Sequence, residues 1–334
     1  MPGHVVRVRM QDRNRGTLPM TKPIKHVTCV GSGLIGQGWA TLFAAGGYEV
    51  TLQDVSDDRL KRAVEQVRSN LRFLQDNDLL QEDAAVCSLR VHTVADLGRA
   101  VEKADYVQES VPDNYPAKKK VFAEMDARAP VEAILASSSS GLLMSEIQKA
   151  VARPRRCVLV HPFLPVHLIP LVEVAGGDQT APETVQGACD LMKRIGKTPV
   201  SLNKEVSGYI VNRLQAAVLR EAIDLVAGGV ASAEDVDLAF CNGMGVRDPF
   251  MGPLLRACLA GDGIENFVKD YSDSYHLRWK SMATWDSFSP SIRETLVHSV
   301  NAMPVVREHS MEKIKAWRDR RVVEILRLNR TCCE

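Results

Sequence analysis

Three groups of residues in this chain have the types and spacing to do chemistry. The first is Gly31-Ser32-Gly33-Leu34-Ile35-Gly36, which follows an apolar run at 26–30 and opens a helical pattern at 37–45. There Gly31 permits a tight turn, Gly33 lets the backbone approach a pyrophosphate, and Gly36 allows the helix to pack close on the strand. The helix N-terminus offers free N–H groups and a partial positive charge to the phosphates. A second apolar run, 48–52, is closed by Asp54. Its carboxylate can accept a hydrogen bond from a ribose 2′-hydroxyl and repels a 2′-phosphate, and no arginine follows it immediately. The expected cofactor is NAD rather than NADP. Glycines also mark plain strand-to-helix turns, and it is the acid ending the next strand that favours a nucleotide.

The second group is a histidine and a glutamate. His161 ends an apolar run at 157–160 and is followed by Pro162-Phe163-Leu164-Pro165, after which a returning run at 171–175 holds Glu173. A strand–loop–strand connection can set that carboxylate against the imidazole, fix its tautomer and stabilise the imidazolium. Oxidation of a secondary alcohol needs such a base to take the hydroxyl proton as hydride leaves. A histidine in a strand-end loop is also commonly structural, and His167 in the same loop is a rival. Ligands of open α/β sheets bind beyond the carboxyl ends of the strands, which favours His161.

The third group is polar residues at element ends. The run Ser137-Ser138-Ser139-Ser140 closes another strand, where hydroxyls can bond a substrate oxygen or the nicotinamide, or cap the next helix. Asn212 interrupts the apolar stretch Ile210-Val211-Asn212-Arg213-Leu214. A buried amide there must find partners, either structural or on a substrate. Both readings stand for each.

The elements that must position these groups alternate. Strand-like runs at 26–30, 48–52, 104–108, 133–137, 157–160, 171–175 and 198–202 are separated by helical patterns such as 57–77, with Asp57 as N-cap, and 117–128. Such alternation implies crossover units and a mostly parallel sheet covered on both faces. After Asn203 the runs turn helical, at 206–227, 233–241, 264–280 and 311–328. The expected fold is α/β, a Rossmann-type domain over 25–203 followed by an all-α domain over 204–328, with an extension at 1–24 and a tail at 329–334.

Bulk properties exclude several classes. The 334 residues suit two domains. A net charge of +1 leaves no electrostatic footprint for nucleic acid or an anionic membrane, and no apolar run is long enough to span a bilayer. Eight scattered cysteines form no CxxC pair, as in reduced cytoplasmic enzymes without structural zinc. Arg7, Arg9, Arg13 and Arg15 in the first 20 residues fit either a plain extension or a mitochondrial presequence.

Taken together, the glycine run, the serine cluster, His161-Pro162-Phe163 with Leu171-Val172-Glu173-Val174, and Gly208-Tyr209-Ile210-Val211-Asn212-Arg213-Leu214 resemble the 3-hydroxyacyl-CoA dehydrogenase superfamily. The resemblance extends in order from about residue 25 to 328. It implies His161 as general base, Glu173 as its orienting carboxylate, Ser140 and Asn212 as contacts to the substrate hydroxyl or carbonyl, and Asp113 and Lys118 as residues flanking the cofactor. The nucleotide site it implies comprises Gly31, Gly33, Leu34, Ile35, Gly36 and Asp54.

Within the superfamily the chain is most similar to the lambda-crystallin branch, whose enzymes act as L-gulonate 3-dehydrogenase. The residues behind this are Lys118-Lys119-Lys120-Val121-Phe122, Ile169-Pro170-Leu171-Val172-Glu173, and Gly243-Met244-Gly245-Val246-Arg247 with Phe250-Met251-Gly252-Pro253. The segment after Asp54 lacks a lysine-rich hairpin for CoA phosphates, so a free hydroxy acid is expected. Its carboxylate needs a cation, and Arg213 and Arg247 are candidates, each also readable as a salt-bridge partner. Two departures stand out: Leu164 replaces the family's usual Asn, and Ser138 stands where acyl-CoA enzymes carry Asn. Alternatives are a short-chain 3-hydroxyacyl-CoA or carnitine dehydrogenase, and a non-catalytic, crystallin-like structural or NAD-binding protein. The surplus of apolar helices after Lys204 implies a homodimer.

Overall fold

The computed structural model describes residues 23–331. The Arg-rich start, up to residue 22, and the cysteines at 332 and 333 lie outside the described residues. The chain divides into two compact units, Met1–Ser207 and Gly208–Glu334. Residues 204–207 go with the first because the Glu205 carboxylate accepts the backbone amides of Met144 and Ser145.

The first unit is an eight-stranded sheet in the order β3-β2-β1-β4-β5-β6-β7-β8. Its strands are β1 (His26–Val30), β2 (Glu49–Gln53), β3 (Val91–Val94), β4 (Tyr106–Glu109), β5 (Ile134–Ser137), β6 (Cys157–Pro162), β7 (Leu171–Gly176) and β8 (Thr198–Ser201). β1 to β6 are mutually parallel, β7 returns antiparallel to β6, and β8 lies parallel to β7. This is the mostly parallel, Rossmann-type sheet expected. The reversal at β7 has a simple cause: residues 163–170 are too few for a parallel crossover, which takes a dozen or more.

Helices α1 (Leu34–Ala45), α2 (Asp57–Asp76), α3 (Ala84–Leu89), α4 (Leu97–Val101), α5 (Tyr115–Arg128), α6 (Met144–Ile147) and α7 (Pro182–Arg194) connect the strands. The N-cap of α2 is Ser56, whose hydroxyl accepts the Arg59 amide. Asp57, expected as the cap, sits in the first turn and there complements the helix dipole. β3, α3 and α4 are short elements without a full period of apolar residues, and α7 supplies the crossover from β7 to β8.

The core lies between the sheet and α1 and α2. Phe43 stacks on Trp39 at 5.6 Å and meets the Tyr106 ring at 5.9 Å. Each such ring removed from water contributes about 1.5–3 kcal/mol.

The second unit is all helical: α8 (Val211–Ala227), α9 (Ala233–Ala239), α10 (Pro253–Ala260), α11 (Ile264–Ser281), α12 (Pro290–Ala302), α13 (Pro304–Glu308) and α14 (Met311–Thr331). α8 starts five residues later than its pattern suggests, because Gly208 and Tyr209 have φ of +76° and +51°, incompatible with a right-handed helix. The pattern at 233–241 breaks into α9 and a π-helical turn, Phe240–Met244. α14 continues to Thr331, so residues 329–331 are helix rather than tail. The segment before α12 is tied to α8 by Trp285 Nε1 donating to Asp224 (2.9 Å) and the Ala283 amide donating to Glu221 (3.0 Å).

A buried ion pair locks the sheet's helical cover. Arg156 donates to Asp126 Oδ1 through Nε (3.0 Å) and Nη2 (2.8 Å), while Asp126 Oδ2 accepts the amides of Ala152 and Arg153. Burial pushes the Asp126 carboxyl up, but the bonds from Arg156 and the backbone outweigh this and hold it below the ordinary carboxylate range. Arg156→Ala should destabilise the protein by about 3–5 kcal/mol in a denaturant melt. Because the folded carboxyl is depressed, its contribution is complete above the unfolded value of ~4 and is lost as pH falls through the lower folded value. The wild-type advantage over Arg156→Ala should therefore shrink below about pH 4.

Candidate active site

Parallel pairing brings the ends of β1, β2, β4, β5 and β6 to one edge of the sheet, and the candidate residues of the first unit gather there. Strand order reverses between β1 and β4, the crevice where doubly wound sheets bind nucleotides. Gly31 has φ +94°, and a Cβ on it would stand 2.7 Å from the Ser110 carbonyl oxygen. A Cβ on Gly36 would fall 1.8 Å from the Gly31 oxygen. Both glycines are therefore required by the turn itself.

Gly33 is different. Among the described residues, nothing beyond its chain neighbours lies within 4 Å of where its Cβ would be, and it caps α1 with no side-chain cap hydrogen bond. Protein packing does not explain this glycine, whereas a phosphate group resting on the open amides of α1 does. Leu34 is 72% exposed at the head of α1, while Ile35 packs on the core. These residues fit NAD.

Asp54 has a structural part of its own at this turn. Its Oδ2 accepts the Ser32 amide (3.1 Å) and hydroxyl (2.8 Å), tying the glycine turn to the end of β2. The first turn of α2 also brings Arg59 Nη1 to 3.7 Å from Asp54 Oδ1. No arginine follows Asp54 immediately, as the sequence reads, but Arg59, five residues on, is its neighbour in space. Asp54→Ser should remove the repulsion of a 2′-phosphate and release Arg59 to receive it. Preference for NAD over NADP in competition kinetics should fall by about 100-fold, the equivalent of ~3 kcal/mol of like-charge cost.

The antiparallel pairing of β6 and β7 sets His161 directly opposite Glu173. Imidazole Nδ1 lies 2.9 Å from Glu173 Oε2, with the histidine 4% and the glutamate 0% exposed. A carboxylate can only accept, so Nδ1 carries the proton and Nε2 is left as the basic nitrogen. The Phe163 ring sits edge-on to the imidazole at 4.6 Å. His167, the rival, packs against Phe73 of α2 at 6.5 Å.

The serine run forms two linked networks. Ser138 Oγ accepts from Trp39 Nε1 (3.0 Å) and Gln108 Nε2 (2.7 Å) and meets Ser110 Oγ at 2.9 Å. Gln108 also donates to the carbonyl of Val160, the residue before His161 (3.3 Å). Ser138 thus joins the cofactor helix, β4 and the histidine strand. In the second network Asp113 accepts the Ser139 hydroxyl (2.7 Å) and both the amide and hydroxyl of Ser140 (3.2 and 2.9 Å). Burial pushes the Asp113 carboxyl up, but these bonds and nearby Lys118 hold it below its ordinary range. Lys118 is buried, bonded to Glu109 (2.7 and 3.0 Å) and 3.6 Å from Asp113. It and Asp113 brace the serine loop from beneath.

Asn212, Arg213 and Arg247 belong to the second unit. Asn212 is half-buried in the first turn of α8 rather than in mid-helix, and Arg213 beside it is exposed. Arg247 is exposed just after the π-helical turn. Trp39, Gln108 and Glu109 escaped the sequence reading. A glutamine and a glutamate ending the apolar strand β4 were the available signal, since buried polar groups must be partnered.

Residues 26–206 match the family described as 3-hydroxyacyl-CoA dehydrogenase, NAD binding domain, and residues 208–298 match 3-hydroxyacyl-CoA dehydrogenase, C-terminal domain. L-carnitine dehydrogenase of Streptomyces coelicolor is 40% identical over 318 residues, covering 92% of this chain and 96% of its own. Lambda-crystallin of Oryctolagus cuniculus is 35% identical over 308 residues, covering 91% and 96%. Among solved structures, a 5-formyl-3-hydroxy-2-methylpyridine 4-carboxylic acid 5-dehydrogenase, described as an NAD+-dependent dismutase, has a TM-score of 0.79 at 30% identity, covering 92% of this chain and 98% of its own. The chain belongs to the 3-hydroxyacyl-CoA dehydrogenase family and is an NAD-dependent oxidoreductase.

Proposed function

We propose that the protein oxidises the 3-hydroxyl of a small, free hydroxy acid, with L-gulonate as first candidate and 3-dehydro-L-gulonate as its product. The observation that carries the reaction type is the buried His161–Glu173 pair at the carboxyl edge of the sheet. His161 Nε2 takes the hydroxyl proton, and Glu173 holds Nδ1–H and balances the imidazolium that forms. Gly31, Gly33, Leu34, Ile35, Gly36 and Asp54 hold NAD, which when bound supplies the acceptor for the departing hydride. Asp113 and Lys118 keep the serine loop in place, and Ser140 and Asn212 are the contacts for the reacting oxygen. Arg213 and Arg247 are the candidate partners of the substrate carboxylate.

A free acid is favoured over an acyl-CoA by charge. The connection from the end of α2 to α3 carries Asp76, Asp78, Glu82 and Asp83 with no lysine or arginine, a poor place for CoA phosphates. Carnitine, also a free 3-hydroxy acid, is the second reading, supported by the 40% identity to an L-carnitine dehydrogenase. A catalytic role is favoured over a purely structural one by Glu173, a buried carboxylate that a silent histidine does not need.

The helical unit supports a homodimer. Leu254 is 82%, Leu277 68% and Trp279 66% exposed there, more apolar surface than a soluble monomer usually leaves bare. The buried free thiols of Cys29, Cys87, Cys157 and Cys189 suit a reducing compartment, which supports the cytoplasm. Among the described residues no helix is long and apolar enough to cross a membrane.

NADH formation measured across L-gulonate, L-carnitine, 3-hydroxybutyrate and 3-hydroxybutyryl-CoA should be fastest, by kcat/KM, with L-gulonate. A leading value for carnitine or the CoA ester would overturn the substrate, and no turnover with any would favour the structural reading. With the best substrate, His161→Ala should lower kcat by about 10²–10⁴ with NAD affinity kept. A variant retaining most of its turnover ends the assignment of the base. Sedimentation at micromolar concentration should give twice the chain mass; a monomer there removes the dimer.

A further inference from the structure

Lys197 stands immediately before β8 and is only 6% exposed. Its ammonium donates to the main-chain carbonyls of Val166 and, at 2.5 Å, Ile169. It also lies 5.7 Å from the centre of the Trp39 ring. A buried lysine is costly unless something holds its charge. Burial pushes this ammonium down to about 7, while two carbonyls and an aromatic face favour its charged form.

The carbonyls it holds lie in residues 163–170, the segment that joins His161 on β6 to Glu173 on β7. Helix α1 also touches this segment. A Cβ on Gly38 would stand 2.6 Å from Val166 Cβ, so the helix and the loop touch there with no room to spare. Trp39, beside the ammonium, donates to Ser138. One cation therefore sits where the histidine loop, the cofactor helix and the serine network meet.

We propose that Lys197 is a positioning residue for the oxidation, its ammonium pinning the Val166 and Ile169 carbonyls so that the loop holds His161 and Glu173 in productive register. This rests on His161 being the base. A neutral side chain of similar shape would leave both carbonyls without their donor and let the loop shift. Displacements of about 1 Å are enough to slow a positioned reaction by about 100-fold.

The test is steady-state kinetics on the whole enzyme, with NAD binding and thermal melting measured in parallel. Lys197→Met, which keeps the packing against Trp39, should lower kcat by roughly 10- to 100-fold while the dissociation constant for NAD stays within about twofold. The downfield proton resonance of His161 Nδ1–H, identified by its loss in His161→Ala, should shift in the same variant. Gly38→Ala pushes on Val166 from the α1 side with Lys197 intact, and should reproduce the fall in kcat even if Lys197→Met does not fold. Exposed Lys193→Met is the control and should leave kcat unchanged. Folded Lys197→Met with wild-type kcat and an unmoved resonance overturns the proposal, as does Gly38→Ala with wild-type kcat. If His161→Ala itself keeps its turnover, the base assignment fails instead, so the two failures are told apart.

Discussion

A carboxylate held against one imidazole nitrogen fixes the ring's tautomer and stabilises it when the other nitrogen takes a proton. Here that carboxylate comes from the neighbouring strand, and the contact is a product of register. Side chains alternate between the faces of a strand, so a slip of one residue between β6 and β7 would send Glu173 to the opposite face. The pairing of His161 with Glu173 therefore depends on everything that fixes this hairpin. The short connection dictates the antiparallel return, and β5 and β8 flank the two strands on either side.

Along the rest of the sheet edge, polar side chains are tied to one another. Ser138 accepts from Trp39 and Gln108, and Gln108 reaches back to the strand of His161. Asp113 anchors two serines, and Lys118 neutralises Glu109 beneath them. In a low-dielectric interior such chains hold their members rigidly because each broken bond exposes an unpartnered group. Ser138 is central to this, since its one hydroxyl is the meeting point of Trp39, Gln108 and Ser110. The nucleotide end follows the same logic, with Asp54 both closing the glycine turn through Ser32 and standing beside Arg59.

The two units bury apolar surface differently. The first has a continuous core between sheet and helices. Among the described residues, the second leaves many large apolar side chains exposed. Family membership agrees with the division, with one match on each unit and the junction at residue 207.

What was legible in the sequence was local. The apolar runs of the central strands, the glycine turn and the acid ending β2 can be read directly, because each owes its pattern to a period or a backbone requirement within a few residues. The short elements β3, α3 and α4 hold too few residues to show a period. His161 and Glu173 were visible as candidates twelve residues apart, but their contact exists only through the cross-strand pairing of β6 and β7. Arg59 beside Asp54, Ser138 as a hub, and Lys197 under the histidine loop were likewise decided by the tertiary structure. Each depends on segments distant in the chain being packed together, and no spacing along a single chain encodes which neighbours a buried polar group will find.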